Sequence, residues 1–508
     1  MTQITIENTQ QLLAKKIKDG AIPKGFEIPG WTPEYPLFDH QLQGAVWLYL
    51  TPKAILADST GLGKTAICLS LLQLLKSRSL LGPFQRAIVI VPATSVYGSW
   101  ASDGFDKFNV GVKYAIGRGT KKQRMNIYAD PTWEVLLTNY ETVRNDVAEL
   151  EKLNFNHVIM DEADYIKNHA TLTAKAVKRI SVDAHRVVAV SATPIQNSLL
   201  DLHSVLEALG LKSVFGSKTA FDRHYHEHSI TQIRTRSRTI YKKTVIGYKN
   251  TVQLKEKLDP YFLRRTYADV PSIKVPTLLS QTILLDLTPE QKQLYEQIQR
   301  GFATLTPMSP PQEIKAAILK LRQVCTGTAT IGASNDSSAK LDWLIQKLQA
   351  DWRESKIVVF STWKASIHAF EKRLKDAGIG YVTMTGDQQD QVIREQYRKQ
   401  FWDDKNTKVL IGTTAIKNSL NLQCANIQVN LDMLYNPSSH QQLAGRVQRV
   451  GSIHEKAWVF SLVTRGTVEE GVMKILERKQ AISDHVWDDT SDIFQQLSPK
   501  ELYNLIRS

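Results

Sequence analysis

Ala54-Ile55-Leu56-Ala57-Asp58-Ser59-Thr60-Gly61-Leu62-Gly63-Lys64-Thr65 is the run that decides the fold. Its apolar opening reads as a buried strand. Its end leads into Ile67-Cys68-Leu69-Ser70-Leu71-Leu72, a helical pattern. A strand, a glycine turn and a helix start are what a triphosphate needs. Gly61 and Gly63 let backbone N–H groups converge on phosphate oxygens, and the helix N-terminus adds a favourable dipole. Lys64 is placed to reach the β/γ-phosphates, and the Thr65 hydroxyl to hold Mg²⁺. Asp58 stands where such a loop ordinarily has its first glycine.

About a hundred residues on, Phe155-Asn156-His157-Val158-Ile159-Met160 reads as a second buried strand, ending at Asp161-Glu162-Ala163-Asp164. Carboxylates at the C-terminal end of a parallel strand sit where doubly wound sheets bind ligands. Asp161 is placed to hold Mg²⁺ through water. Glu162 is placed to orient or deprotonate the attacking water. A helix macrodipole alone favours acidity at a helix start. It does not account for a phosphate loop at the right distance upstream.

The 508 residues imply at least two domains. No apolar run approaches the roughly 18–20 residues that span a bilayer, so no membrane partner is expected. The N-terminal residues lack the basic and apolar regions of a signal peptide. Cys68, Cys325 and Cys424 are far apart and odd in number, which fits a reducing compartment. The net charge of +14 points to a polyanionic partner. Residues 234–265 concentrate it, with ten basic side chains against Glu256 and Asp259. That stretch is either a solvated basic loop or a phosphate-contacting element. His224, His226 and His228 alternate, but no second ligand pair near them defines a metal site.

Residues 1–30 read as a lead-in, and 31–212 as a first α/β lobe in which strand-like runs alternate with helical patterns. Residues 213–335 read as a basic helical protrusion and linker. A second alternating unit covers 336–467, and 468–508 reads as a C-terminal helical brace. Two such lobes predict a cleft between them, a common ligand site. Gln441-Gln442-Leu443-Ala444-Gly445-Arg446-Val447-Gln448-Arg449 lies in the second lobe. Arg446 and Arg449 are one helical turn apart and share a face. Guanidinium groups there would stabilise charge on a transferring phosphoryl group.

With these motifs in view, the chain resembles helicase superfamily two, and within it the Swi/Snf-type DNA translocases, from about Leu37 to about Lys479. Phe38-Asp39-His40-Gln41-Leu42-Gln43-Gly44 resembles the adenine-side motif, with Gln41 at the base edge. Ser191-Ala192-Thr193-Pro194 resembles the motif coupling hydrolysis to lobe movement, which implies roles for Ser191 and Thr193. Val91-Pro92-Ala93-Thr94-Ser95 with Trp100, and Leu137-Thr138-Asn139-Tyr140-Glu141, are similar to DNA-strand motifs. The resemblance implies nucleic-acid contacts from Thr94, Thr138, Asn139, Thr385, Gly386 and Thr413, and a nucleotide contact from Gln442. Asp259-Pro260-Tyr261-Phe262-Leu263-Arg264-Arg265-Thr266 resembles a signature separating this family from unwinding helicases, and Arg264 and Arg265 are expected on the nucleic acid. Ala415-Ile416-Lys417-Asn418-Ser419-Leu420-Asn421-Leu422 departs from the family's glycine-rich segment, so its backbone contacts are not carried over.

The fold implied is α/β: two RecA-like parallel-sheet lobes in tandem, with helical protrusions and a cleft. The implied activity is an ATP-driven, Mg²⁺-dependent motor on double-stranded DNA, whether plain, branched or forked, acting as a monomer. A strand-separating or branch-migrating helicase and a non-hydrolysing scaffold are the alternatives. The short flanks suggest a minimal motor of a phage or microbe, working in recombination, repair or replication restart. It is expected in the cytoplasm, or in the nucleus of a eukaryote.

Overall fold

The computed structural model describes residues 2–22, 25–82, 85–192, 199–234, 239–306, 309–385, 391–413, 422–433, 443–448, 452–474 and 503–506. The chain divides into two compact units after Pro271. No described helix is long and apolar enough to cross a membrane.

Unit one begins with helices α1 (Thr2–Lys18) and α2 (Asp39–Leu50). Strand β1 (Lys53–Leu56) then enters the phosphate loop, which opens helix α3 (Lys64–Ser77). Strands β2 (Ala87–Val91), β3 (Tyr114–Ile116), β4 (Val135–Asn139), β5 (His157–Asp161) and β6 (Arg186–Val190) follow. After a hairpin of β7 (His226–Arg234) and β8 (Thr239–Tyr248), the two-residue strand β9 (Phe262–Leu263) returns to the sheet. The sheet order is β3-β4-β2-β5-β6-β1-β9, and every pairing is parallel. β2, β4 and β6 are buried along their whole length, as expected of a parallel sheet covered on both faces. Helix α3 buries every residue from Ala66 to Leu75, because Leu, Ile and Cys occupy all sides of it.

Parallel order puts the strand C-termini on one edge. The phosphate loop after β1, Thr94 beyond β2, Asn139 at the end of β4, Asp161 at the end of β5 and Ser191 after β6 all gather there.

Unit two holds β10 (Thr277–Leu285), β11 (Ile357–Phe360), β12 (Gly380–Met384), β13 (Thr407–Gly412), β14 (Ile427–Asn430) and β15 (Lys456–Thr464). They form a second parallel sheet in the order β10-β15-β14-β11-β13-β12. The expectation of two parallel-sheet α/β lobes is met.

The basic insert differs from its helical reading. Strands β7 and β8 pair antiparallel, from His226↔Tyr248 to Arg234↔Thr239. Ile230, Ile233, Ile240 and Val245 supply the β-branched residues that favour strands there.

Candidate nucleotide site

Gly61 (φ +91°) and Gly63 (φ +80°) hold left-handed backbone that a side chain would strain. Gly63 also admits Gln41: a Cβ on it would overlap Gln41 Nε2. Gln41 is buried on α2, accepts the Phe38 N–H at 3.1 Å and faces the Leu62 carbonyl at 3.4 Å. His40 Nε2 lies 2.8 Å from the same carbonyl. Thus α2 is fastened to the phosphate loop. Lys64, at the start of α3, folds Nζ onto the carbonyls of Asp58 (2.8 Å) and Ser59 (3.3 Å). Thr65 is half-buried beside it.

The acidic pair is more heavily braced. Trp100 Nε1 donates to Asp161 Oδ2 at 2.8 Å, and the Glu162 N–H donates to Asp161 Oδ1 at 3.1 Å. The Tyr140 hydroxyl donates to the Asp161 carbonyl at 2.7 Å. Burial first, then the neighbouring Glu162 charge, holds the Asp161 carboxyl above the usual carboxylate range, against the pull of the Trp100 N–H and Lys64. Two acids crowded this way lack positive charge, so the donor set fits a divalent cation. Glu162 adopts φ +50°, a left-handed conformation that costs a non-glycine residue about 1–2 kcal/mol. Its Oε2 is buried with no hydrogen-bond partner among the described residues.

The expected nucleic-acid contacts divide. The Thr94 hydroxyl is buried without a partner among the described residues. Arg264 is exposed. Three others are buried on partners within the protein. Thr138 is fully buried and donates to the Gly117 carbonyl at 2.9 Å. Asn139 is buried and caps the helix Tyr140–Asn145 by accepting the Thr142 N–H at 2.8 Å. Arg265 is buried and pairs with Asp58, Nη2 to Oδ2 at 2.5 Å. Asp58 is itself fully buried, and unpaired burial of such a charge costs several kcal/mol. The departure from glycine at position 58 therefore has a partner. Their separation of 207 residues hid it from sequence reading.

Ser191 is buried, with its N–H on the Leu56 carbonyl at 3.1 Å. Thr193 lies outside the described residues, as do Gly386, Gln442, Arg449 and most of 415–422. In unit two, Arg446 is buried on a helical stretch at 443–447, Thr413 is buried and Thr385 is half-buried. The braces from Trp100 and Tyr140 were not foreseen. Their aromatic type beside the strand motifs was the available signal.

Residues 40–330 match the SNF2-related domain, and 339–451 match the helicase conserved C-terminal domain. An "Uncharacterized ATP-dependent helicase" of Mycoplasma pneumoniae is 27% identical over 92% of this chain and 44% of its own length. The "DNA excision repair protein ERCC-6" of Mus musculus is 26% identical over 96% of this chain and 35% of its own. The chain thus spans less than half the length of these two curated relatives. A solved structure, the "Sulfolobus solfataricus SWI2/SNF2 ATPase core in complex with dsDNA", is 21% identical over 94% of this chain and 99% of that one, with a TM-score of 0.42. With more than half of its residues in the first of those domain matches, the chain belongs to the SNF2-related family of helicase-like ATPases.

Proposed function

We propose that this chain is a motor that hydrolyses Mg²⁺-bound ATP to track along double-stranded DNA. The observation that carries hydrolysis is Glu162: a buried carboxylate oxygen without a partner among the described residues, on strained backbone, beside a braced Asp161 and a phosphate loop. A scaffold using ATP only for structure has no need of a water-activating carboxylate. In this reading Thr65 and Asp161 hold Mg²⁺, which neutralises charge between the phosphates. Lys64 leaves its loop carbonyls for the β/γ-phosphates, and Glu162 Oε2 accepts a proton from the attacking water. The reading gives Arg446 and Arg449 the role of stabilising the transferring phosphoryl group, and Ser191 and Thr193 that of coupling hydrolysis to movement.

Support for DNA comes from the basic stretch at 234–265, from exposed Arg264, from the Thr94 hydroxyl, which has no partner among the described residues, and from a relative named for DNA excision repair. Such contacts to phosphate are independent of sequence and sensitive to salt. Recombination, repair or replication restart is the setting this reading favours.

The test is ATP turnover with duplex, single-stranded, forked and four-way DNA and with duplex RNA, beside triplex-displacement and fork-unwinding assays. Duplex DNA is expected to stimulate turnover several-fold, with triplex displacement and no fork unwinding. Fork unwinding would make the chain a strand-separating helicase. Binding without turnover would make it a scaffold.

A further inference from the structure

The phosphate loop is matched along its length by a distant segment of the chain. β9 runs parallel to β1, with Ile55 opposite Phe262 and Leu56 opposite Leu263. The Ala57 N–H donates to the Leu263 carbonyl at 2.7 Å and the Ser59 N–H to the Arg265 carbonyl at 2.9 Å. The Tyr267 hydroxyl donates to the Thr60 carbonyl at 2.7 Å. A strand pairing thus continues past the sheet edge and shadows the loop to its last residue before Gly61.

The side chains lock this pairing. Asp58 Oδ1 accepts the Arg265 backbone N–H at 3.0 Å and its Nε at 3.1 Å, while Oδ2 accepts Nη2 at 2.5 Å. The remaining amine, Nη1, donates to the His40 carbonyl and to Gln43 Oε1 at 2.9 Å, both on α2. Gly44 makes room, since a Cβ there would meet Nη2 at 2.9 Å. One guanidinium therefore ties the loop to the helix that carries Gln41. The glycines of the loop cannot supply this restraint, having no side chains to pack.

Arg264 and Arg265 are neighbours just past β9 and differ in burial. Arg264 is exposed at the end of the basic stretch, and Arg265 faces the loop. Any change in how Phe262–Tyr267 is seated moves both.

We propose that Arg265 is a positioning residue for nucleotide binding: through Asp58 it sets the phosphate loop, and Phe262–Tyr267 passes the state of the basic stretch to that loop. The second half rests on the DNA-motor reading above.

The experiment uses the full chain and three readouts: binding of fluorescent Mg²⁺–ADP with and without duplex DNA, the KM and kcat for ATP, and cooperative thermal unfolding. Lysine cannot span both Asp58 oxygens and the α2 carbonyl. Arg265→Lys, at a temperature where it is folded, is expected to weaken Mg²⁺–ADP binding and raise the KM for ATP about tenfold, as for the loss of one charged hydrogen bond. Its kcat should change less than its KM, and DNA should no longer tighten nucleotide binding. Asp58→Asn keeps the Oδ1 acceptor and should show a smaller loss. A folded Arg265→Lys protein that binds Mg²⁺–ADP as the parent does, with the same response to DNA, overturns the proposal. Hydrogen exchange on the unmutated protein tests it should the variants not fold. The Ser59 and Arg265 amides should gain protection together when Mg²⁺–ADP binds, and protection of Ser59 alone overturns it. If the unmutated protein binds Mg²⁺–ADP but no DNA stimulates turnover, the motor reading fails, and the binding arm still decides the role of Arg265.

Discussion

Trp100 donates its indole N–H to Asp161 Oδ2 at 2.8 Å, joining the segment after β2 to the acid at the end of β5. Trp100 sits on an eleven-residue π-helix, Val96–Asp106, a geometry that recurs at functional sites. The same stretch of chain carries Thr94, expected on the nucleic acid, and its tryptophan fixes the acid expected on Mg²⁺.

Trp100→Phe keeps most of the buried ring and removes only the donor. A hydrogen bond to a charged group contributes roughly 1.5–3 kcal/mol, so kcat for ATP should fall about tenfold or more. The Mg²⁺ concentration for half-maximal turnover should rise, because Asp161 is no longer oriented. Turnover measured across a Mg²⁺ titration decides this, and an unchanged Mg²⁺ dependence would count against the brace.

Glu162→Gln and Lys64→Ala should separate binding from chemistry. The glutamine preserves shape and cannot take a proton, so turnover should fall about 10²–10⁴-fold while Mg²⁺–ADP binding persists. Lys64→Ala should lose both. Full DNA-stimulated turnover in either protein would refute the site.

The stability of unit one should fall in mild acid. His157 Nε2 donates to the Leu80 carbonyl at 2.6 Å, and its buried Nδ1 has no partner among the described residues. Burial pushes its pKa down from 6.5 to about 4. Between those values the unfolded chain binds the extra proton and the folded chain does not. Stability from this group is complete above about pH 6.5 and is lost as pH falls toward 4, by up to ~3 kcal/mol. His157→Gln should reduce the slope of urea-unfolding free energy against pH in that window. An unchanged slope would reject the assignment.

In unit two, Lys340 Nζ meets both Glu469 carboxylate oxygens at 2.8 Å and the Leu431 carbonyl at 2.7 Å, with both side chains essentially inaccessible. Lys340→Met strands a buried charge and should cost about 3–5 kcal/mol. Adding Glu469→Gln should recover part of it, since the amide oxygen can still accept from Thr464. Equal unfolding midpoints for the single and double variants would contradict this account.

The two parallel sheets, the phosphate loop and the acidic pair were legible in the chain because each is written locally. β2 is a continuous apolar run and β1, β4 and β6 each hold three or four consecutive apolar residues, while glycine spacing around Lys64 specifies a turn whatever packs against it. The helical expectation for the basic insert rests on the resemblance, whereas the β7–β8 pairing depends on cross-strand partners that no local pattern announces. Side-chain direction lay beyond local reading too. Thr138, Asn139 and Arg265 stand in motif-like stretches, yet Gly117, Thr142 and Asp58 draw them inward. A polar group near a sheet edge turns toward whichever partner relieves its desolvation, and those partners come from elsewhere in the fold. Motif order along the chain thus says where a nucleotide site is expected. Packing assigns Arg265 to the loop and Trp100 to Asp161, because only folding brings their partners within hydrogen-bond reach.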